Sequence, residues 1–267
     1  MNNRSVFHWV VAFVIAAVLL VFQRMTGPTY PLRAKATVDG REVSARLPRT
    51  HAGQGDATIT IPRPDPAATG TIEFRRFPTS DDWTRRPLAL EGDNLVGHLP
   101  HQPPAGKVAY KITLQGSGGP VALPPRAVVL RFRGDVPAAI VIPHILGMVL
   151  AMMLAVRAGL EALVRGRAVF PLAVGTTIAM VVGGLIAGAI MQKAAFGSYW
   201  TGVPFGYDLT DNKTLIAVVL WLVAVWRTAI NKTSRGWVLA AFLLTLAIWL
   251  IPHSVLGSEL DYTQAPP

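Results

Sequence analysis

Residues 127–156 read AVVLRFRGDVPAAIVIPHILGMVLAMMLAV, and two grammars meet inside them. Up to Arg133 the run is short and ends in the apolar/charged alternation Leu130-Arg131-Phe132-Arg133, the pattern of a β-strand with one buried face. From Val136 to Val156, 21 residues pass without a single charge. A helix needs about 20 such residues to cross the hydrocarbon core of a bilayer. Only Gly134-Asp135 separates the two, so a β-rich segment feeds a membrane helix with almost no linker and is expected to lie close to the membrane surface.

Working outward from this junction, four more apolar runs appear. Val6–Phe22 is charge-free and is followed by Gln23-Arg24 and no small-residue cleavage site, so it is read as an uncleaved anchor rather than a signal peptide. Ala168–Gln192 is charge-free over 25 residues, and Gly236–Pro252 makes another span. Thr214–Trp226 is the weak one, with 13 residues between Lys213 and Arg227. At about 1.5 Å per residue it covers only about 20 Å. Lys213 and Arg227 would have to snorkel, with Thr228–Ile230 extending the helix; a re-entrant segment is the alternative.

Composition supports this division. The chain has 267 residues, 51% of them apolar and only 15% charged, with a mean hydropathy of +0.41. An ordinary soluble domain carries about 25% charged residues, so composition argues against a purely soluble protein. Residues 23–135 hold 26 of the 40 charged side chains and 14 of the 21 prolines. The absence of cysteine excludes disulfide frameworks, thiolate zinc sites and cysteine nucleophiles.

Basic residues in short loops mark the cytoplasmic side. Loop 157–167 carries Arg157, Arg165 and Arg167, and loop 227–235 carries Arg227, Lys232 and Arg235. Loop 193–213 has only Lys193 and Lys213, and the tail 253–267 has no base. With Arg4 inside, five spans give a cytoplasmic N-terminus. Segment 23–135, loop 193–213 and the C-terminal tail then lie on the opposite, outer side. The expected domains are an anchor (1–25), a β domain (26–135) and a four-helix transmembrane bundle (136–267).

Within segment 26–135, strands are expected at Leu32–Val38, Arg41–Leu47, Ala57–Ile61, Thr71–Phe77, Asn94–Leu99, Lys107–Gln115 and Ala127–Arg133. Asp39-Gly40 between the first two is the two-residue signal for a type I′ hairpin. Val108, Tyr110, Ile112 and Leu114 share one face, which must be buried against a second sheet. Seven short strands with turn chemistry between them predict an all-β, immunoglobulin-like sandwich inserted between the first two of five transmembrane helices. Segment 23–135 carries a net charge of +6, suited to anionic headgroups or an acidic partner. Nucleic acid is not an expected partner, because no recognition helix or stacking motif is present.

Candidate chemistry gathers at the expected outer membrane face. His144 follows Pro143 early in the second span, and His253 follows Pro252 at the end of the last. Asp208, Asp211, Glu259 and Asp261 are assigned to the same layer, with Phe196, Tyr199, Trp200, Phe205 and Tyr207. One reading makes His144, His253, Asp208 and Glu259 a divalent-metal site. A second lets the histidines ligate a haem or hydrogen-bond a quinone. A third is structural: Asp211 or Thr210 caps the fourth span, the aromatics form an interfacial belt and the histidines bond loop carbonyls. The structural reading assigns no cofactor. His98 and His101 are spaced like a ligand pair, but Pro100 makes them turn residues.

Arg157, Glu161 and Arg165 form an i, i+4 ladder expected to continue the second helix beyond the lipid, and Gly184-Leu185-Ile186-Ala187-Gly188 is a close-packing seam inside the bundle. No hydrolase, metalloprotease, nucleotide-binding or haem-attachment motif occurs, which disfavours catalysis.

The strings Gln102–Lys107, Arg157–Leu163, Tyr199–Lys213 and Pro252–Tyr262 resemble a family of bacterial inner-membrane proteins with an N-terminal anchor, a periplasmic β domain and four further spans. The resemblance covers most of the chain and implies its compartment and architecture. It implies no activity. The expected function is a non-catalytic accessory or structural subunit of an energy-transducing (respiratory or photosynthetic) inner-membrane assembly. Its partners would be the lipid bilayer and other membrane-protein subunits. The alternative is a periplasmic-face metal- or cofactor-binding membrane protein built on His144 and His253.

Overall fold

The computed structural model describes residues 3–263 and divides into two compact units. One comprises residues 1–28 and 136–258 and is helical; the other comprises residues 29–135 and 259–267 and is built of strands. The chain therefore passes between the units three times.

The helical unit contains α1 (Asn3–Thr26), α2 (Ala138–Leu163), α3 (Val169–Ala179), α4 (Ala187–Phe196), α5 (Leu209–Ile230) and α6 (Arg235–Leu250). A π-helical turn, Met180–Ile186, joins α3 to α4, so that Val169–Phe196 forms one helical rod. Among the described residues, four helices are long and apolar enough to cross a membrane: α1, α2, the α3–α4 rod and α5. The weak candidate gains its length by extending at both ends, Lys213 included, to 22 residues or about 33 Å. α6 is the short one, with 16 residues, or about 24 Å.

Counting the α3–α4 rod as one, consecutive helices run antiparallel. At one end, the Gln23 side-chain amide of α1 donates to the Trp249 carbonyl of α6 at 2.7 Å, and Lys213 of α5 donates to the Ile251 carbonyl at 3.0 Å. At the other, the Arg157 guanidinium of α2 lies 5.7 Å from the Trp9 ring of α1. Arg227 of α5 lies there 5.5 Å from the Trp237 ring of α6.

The core is rich in small residues: Ala12 and Ala16 of α1 and Ala151, Ala155 and Ala158 of α2 are buried in one cluster. Without a hydrophobic drive between helices in lipid, close approach through small side chains and occasional interhelical hydrogen bonds supplies the cohesion. Trp221 donates such a bond to Thr245 at 2.9 Å. Large apolar side chains face outward instead, among them Phe7, Phe13, Leu146, Ile178 and Leu243. This distribution, with the helix lengths, fits a membrane protein.

The expected seam is internal. Gly184 faces Thr214 and Met148, Gly188 faces His144, and a Cβ on Gly183 would stand 2.7 Å from the Gly147 backbone. The ladder is shorter than expected. Arg157 and Glu161 pair at 2.7 Å, but α2 ends at Leu163 and Arg165 turns away at φ 56°. Glu161 then accepts from the Ala168 backbone N–H at 3.1 Å, fastening the start of α3.

Among the described residues the β unit has eleven strands: β1 (Leu32–Val38), β2 (Arg41–Leu47), β3 (Thr50–Ala52), β4 (Ala57–Pro62), β5 (Thr69–Arg76), β6 (Thr84–Pro87), β7 (Ala89–Glu91), β8 (Asn94–Leu99), β9 (Lys107–Gly116), β10 (Gly119–Ala122) and β11 (Val128–Arg133). β1 and β2 form the expected hairpin, with Val38 opposite Arg41 and positive φ at Asp39 (50°) and Gly40 (77°). That hairpin is a sheet of its own; a second sheet runs β3-β11-β9-β5-β6, with β10 also on β9, and a third runs β4-β8-β7. β3 joins β11 in parallel. All three groups share one core, which holds Leu47, Ile59, Ile61, Ile72, Leu99, Tyr110, Ile112, Leu114, Leu130 and Phe132. The alternation at Val108, Tyr110, Ile112 and Leu114 is buried as expected.

The four strands that sequence periodicity missed are β3, β6, β7 and β10, each three or four residues long. They are too short for alternation to register and are specified by pairing with longer neighbours.

Candidate functional site

Asp208 is the N-cap of α5. Its Oδ1 accepts from the Thr210 N–H at 2.8 Å. Its Oδ2 accepts from the Ser258 N–H at 2.7 Å and hydroxyl at 2.8 Å. Burial alone would raise this carboxyl, but the hydrogen bonds from Ser258, Thr210 and Asp211 outweigh it and hold Asp208 below the usual carboxylate range. The expected cap, Asp211 or Thr210, is displaced by Asp208; Asp211 lies three positions inside the helix from that cap and accepts from the Thr201 N–H at 2.7 Å and the Gln192 amide at 3.0 Å. Lys213 is buried and donates to the carbonyls that follow α6. Together these groups fasten loop 197–208 and segment 251–258 to the helix ends.

The proposed metal ligands are distributed as follows. His144 Nδ1 lies 2.8 Å from the Gly183 carbonyl in the π-helical turn, where the altered ladder makes the carbonyl accessible. His253 lies in the segment after α6 and is exposed. Glu259 belongs to the β unit and pairs there with Lys107. Among the described residues, no group of three or more His, Cys, Asp or Glu side chains is arranged to hold a metal ion. Of the two histidines expected in turns, His98 instead lies within β8 opposite Thr58 of β4, its Nδ1 3.4 Å from the Thr58 hydroxyl, whereas His101 lies beyond the strand with its Nδ1 3.1 Å from the Gly55 carbonyl.

A different constellation lies on the sheet face opposite the β-unit core. Residues paired across antiparallel strands share a face, and alternate residues along a strand do too. Arg131 pairs with Lys107, Ala109 with Arg75, Lys111 with Glu73, and Glu73 with Arg85. With Arg133 two residues beyond Arg131, this face carries six cations against the single strand carboxylate Glu73. Trp83 lies among them, its ring 4.0 Å from the Lys111 ammonium and 4.8 Å from the Arg75 guanidinium. Cation–π contacts of this kind hold flexible basic side chains in fixed positions.

One corner of the face is occupied by the chain's own tail. Glu259 pairs with Lys107, the Leu260 N–H donates to the Ala105 carbonyl at 3.3 Å, and the Tyr262 hydroxyl accepts from the Lys107 N–H at 2.9 Å. The other side of Tyr262 packs 5.2 Å from the Arg76 guanidinium, which is itself paired with Asp81 at 2.7 Å. That ion pair holds Asp81 below its ordinary range. A cavity of about 420 Å³ opens between residues 76–81 and the tail.

The tail, expected with the bundle, is grouped from Glu259 onward with the β unit, and the charge excess of that unit has no position in the sequence alone. Alternation along Lys107–Gln115 did place Lys107 and Lys111 opposite the core. Neither the strand register nor Trp83 had a local signal. No known protein family, curated protein or solved structure matches the chain.

Proposed function

We propose that the chain is a non-catalytic accessory subunit of a bacterial inner-membrane assembly, anchored by five spans and docking its partners through the basic face of its β unit. The observation that carries this reading is the set of six cations on one sheet face against Glu73, five of them at least partly exposed and Arg131 buried, ordered in part around Trp83. The buried Asp208, Asp211 and Lys213, by contrast, are engaged in fastening loops to helix ends.

Five spans are supported by α6, which is short but runs from the level of Arg227 to that of Lys213 and so follows the full length of α5. The basic loops 157–167 and 227–235 then face the cytoplasm, which puts the N-terminus inside and the β unit in the periplasm. Three sheets on one core, with β3 parallel to β11, support a sandwich of immunoglobulin type.

Purification in mild detergent should give partner subunits at fixed stoichiometry. The Arg85→Gln/Lys111→Gln variant, folded by its unchanged melting temperature, should lose them. Recovery of the chain as a lone monomer, or co-migration indifferent to these substitutions, would refute the reading.

A further inference from the structure

We infer that the basic face accepts an extended acidic segment of the partner, laid beside the chain's own tail. This rests on the docking reading above and specifies the chemistry of what docks. The tail is the internal precedent: Glu259-Leu260-Asp261-Tyr262 lies against the sheet with a carboxylate on Lys107 and a phenol on the Lys107 backbone. Beyond it the face continues through Arg75, Lys111 and Arg85, with Glu73 its one internal counter-charge.

The spacing suits such a segment. Cations recur across the sheet at the interstrand distance of about 4.8 Å and along strands at about 6.8 Å per two residues. The latter is also the interval between side chains on one side of an extended chain. Arg85, at the sheet edge, is 65% exposed and only 3.8 Å from Glu73, so an incoming carboxylate can take it over at little cost. The edge strand β6 carries Arg85, Arg86 and Pro87, residues that discourage a further strand from pairing there. That leaves the face, rather than the edge, as the place for the segment.

The test uses the full chain in phosphatidylcholine nanodiscs with fluorescent poly-L-glutamate as the probe, read by anisotropy. Saturable binding is expected, weakened about two- to fivefold for each cation neutralised in Arg85→Gln and Lys111→Gln, the range of an exposed ion pair. Glu259→Gln should strengthen binding by a similar factor, because it frees Lys107. Binding indifferent to all three substitutions overturns the inference. So does loss of the probe when half the lipid is phosphatidylglycerol, which would make the face a headgroup site. If the probe fails to bind while partners still co-purify in a manner sensitive to Arg85 and Lys111, the acidic segment is refuted and the docking reading stands.

Discussion

The contact between Gly147 of α2 and Gly183 of the π-helical turn gives a substitution whose sign can be worked out in advance. In Gly183→Ala the new Cβ would stand 2.7 Å from the Gly147 carbonyl carbon, 2.8 Å from its Cα and 3.1 Å from its oxygen. All three are backbone atoms, so no side chain can swing aside. Restoring an ordinary contact of 3.4 Å requires α2 and the rod to separate by about 0.7 Å. A gap of that size forfeits a quarter to a half of the dispersion energy of each contact it opens. Overpacking of this kind costs about 1–3 kcal/mol. The helix-propensity gain of alanine over glycine, at most about 1 kcal/mol, offsets only part of that cost. Separation would also stretch the contact between His144 Nδ1 and the Gly183 carbonyl, now 2.8 Å. Gly236→Ala is the matched control, since nothing lies within 4 Å of its Cβ and alanine there gains propensity in the first turn of α6. Thermal unfolding in detergent should therefore place Gly183→Ala below wild type and Gly236→Ala at or slightly above it. Equal melting temperatures for the two variants would refute the packing argument.

Asp208→Asn should cost about 1–3 kcal/mol, because one amide oxygen cannot replace two carboxylate oxygens for Ser258 and Thr210. It should expose the Thr210 and Ser258 amides to hydrogen exchange at neutral pH. In the wild type the lowered carboxyl makes its stabilisation fully present above the unfolded value of about 3.9 and lost as pH falls through the folded value. Protection that disappeared already at about pH 5 would contradict this assignment. Arg157→Met should destabilise by about 3–5 kcal/mol by leaving the Glu161 carboxylate buried without its partner, whereas adding Glu161→Gln should recover much of the loss in the same melting assay. Trp221→Phe removes the buried bond to Thr245 and should cost about 0.6–1.5 kcal/mol, while Trp226→Phe at an exposed position should melt as wild type.

The parts of the fold written in local grammar were legible. Asp39-Gly40 specified its hairpin because both residues tolerate positive φ. The charge-free run 136–156 specified a helix because its length matches a bilayer. The relative lengths of α5 and α6 were not legible from charge-free runs. Lys213 interrupts the apolar run of α5 without interrupting the helix, because its ammonium reaches the carbonyls after α6. In α6 the apolar run reaches Pro252, but the regular helix stops at Leu250, with the extended backbone of Ile251 leading into Pro252. A residue before proline is driven out of the helical region, so apolar length overstated helical length there.

The same distinction explains what was and was not readable at the candidate site. Asp208 carries a standard N-cap signature, but whether a capping carboxylate also has oxygens left for a metal depends on what arrives from elsewhere in the chain. Here Ser258 arrives from 50 residues away and takes the second oxygen. Glu259, one residue further on, engages Lys107 at a sequence separation of 152. Adjacent residues thus serve different units, and no periodicity within the tail encodes the change. The excess of cations was visible as a number, but its concentration on one face is a property of register. Arg131, Lys107, Arg75, Lys111 and Arg85 come from four strands and converge only through the pairings of β11, β9, β5 and β6. A slip of one residue in any of these pairings would turn that strand's cations toward the core. The buried alternation of Val108, Tyr110, Ile112 and Leu114 therefore fixes the basic face as strictly as it fixes the core.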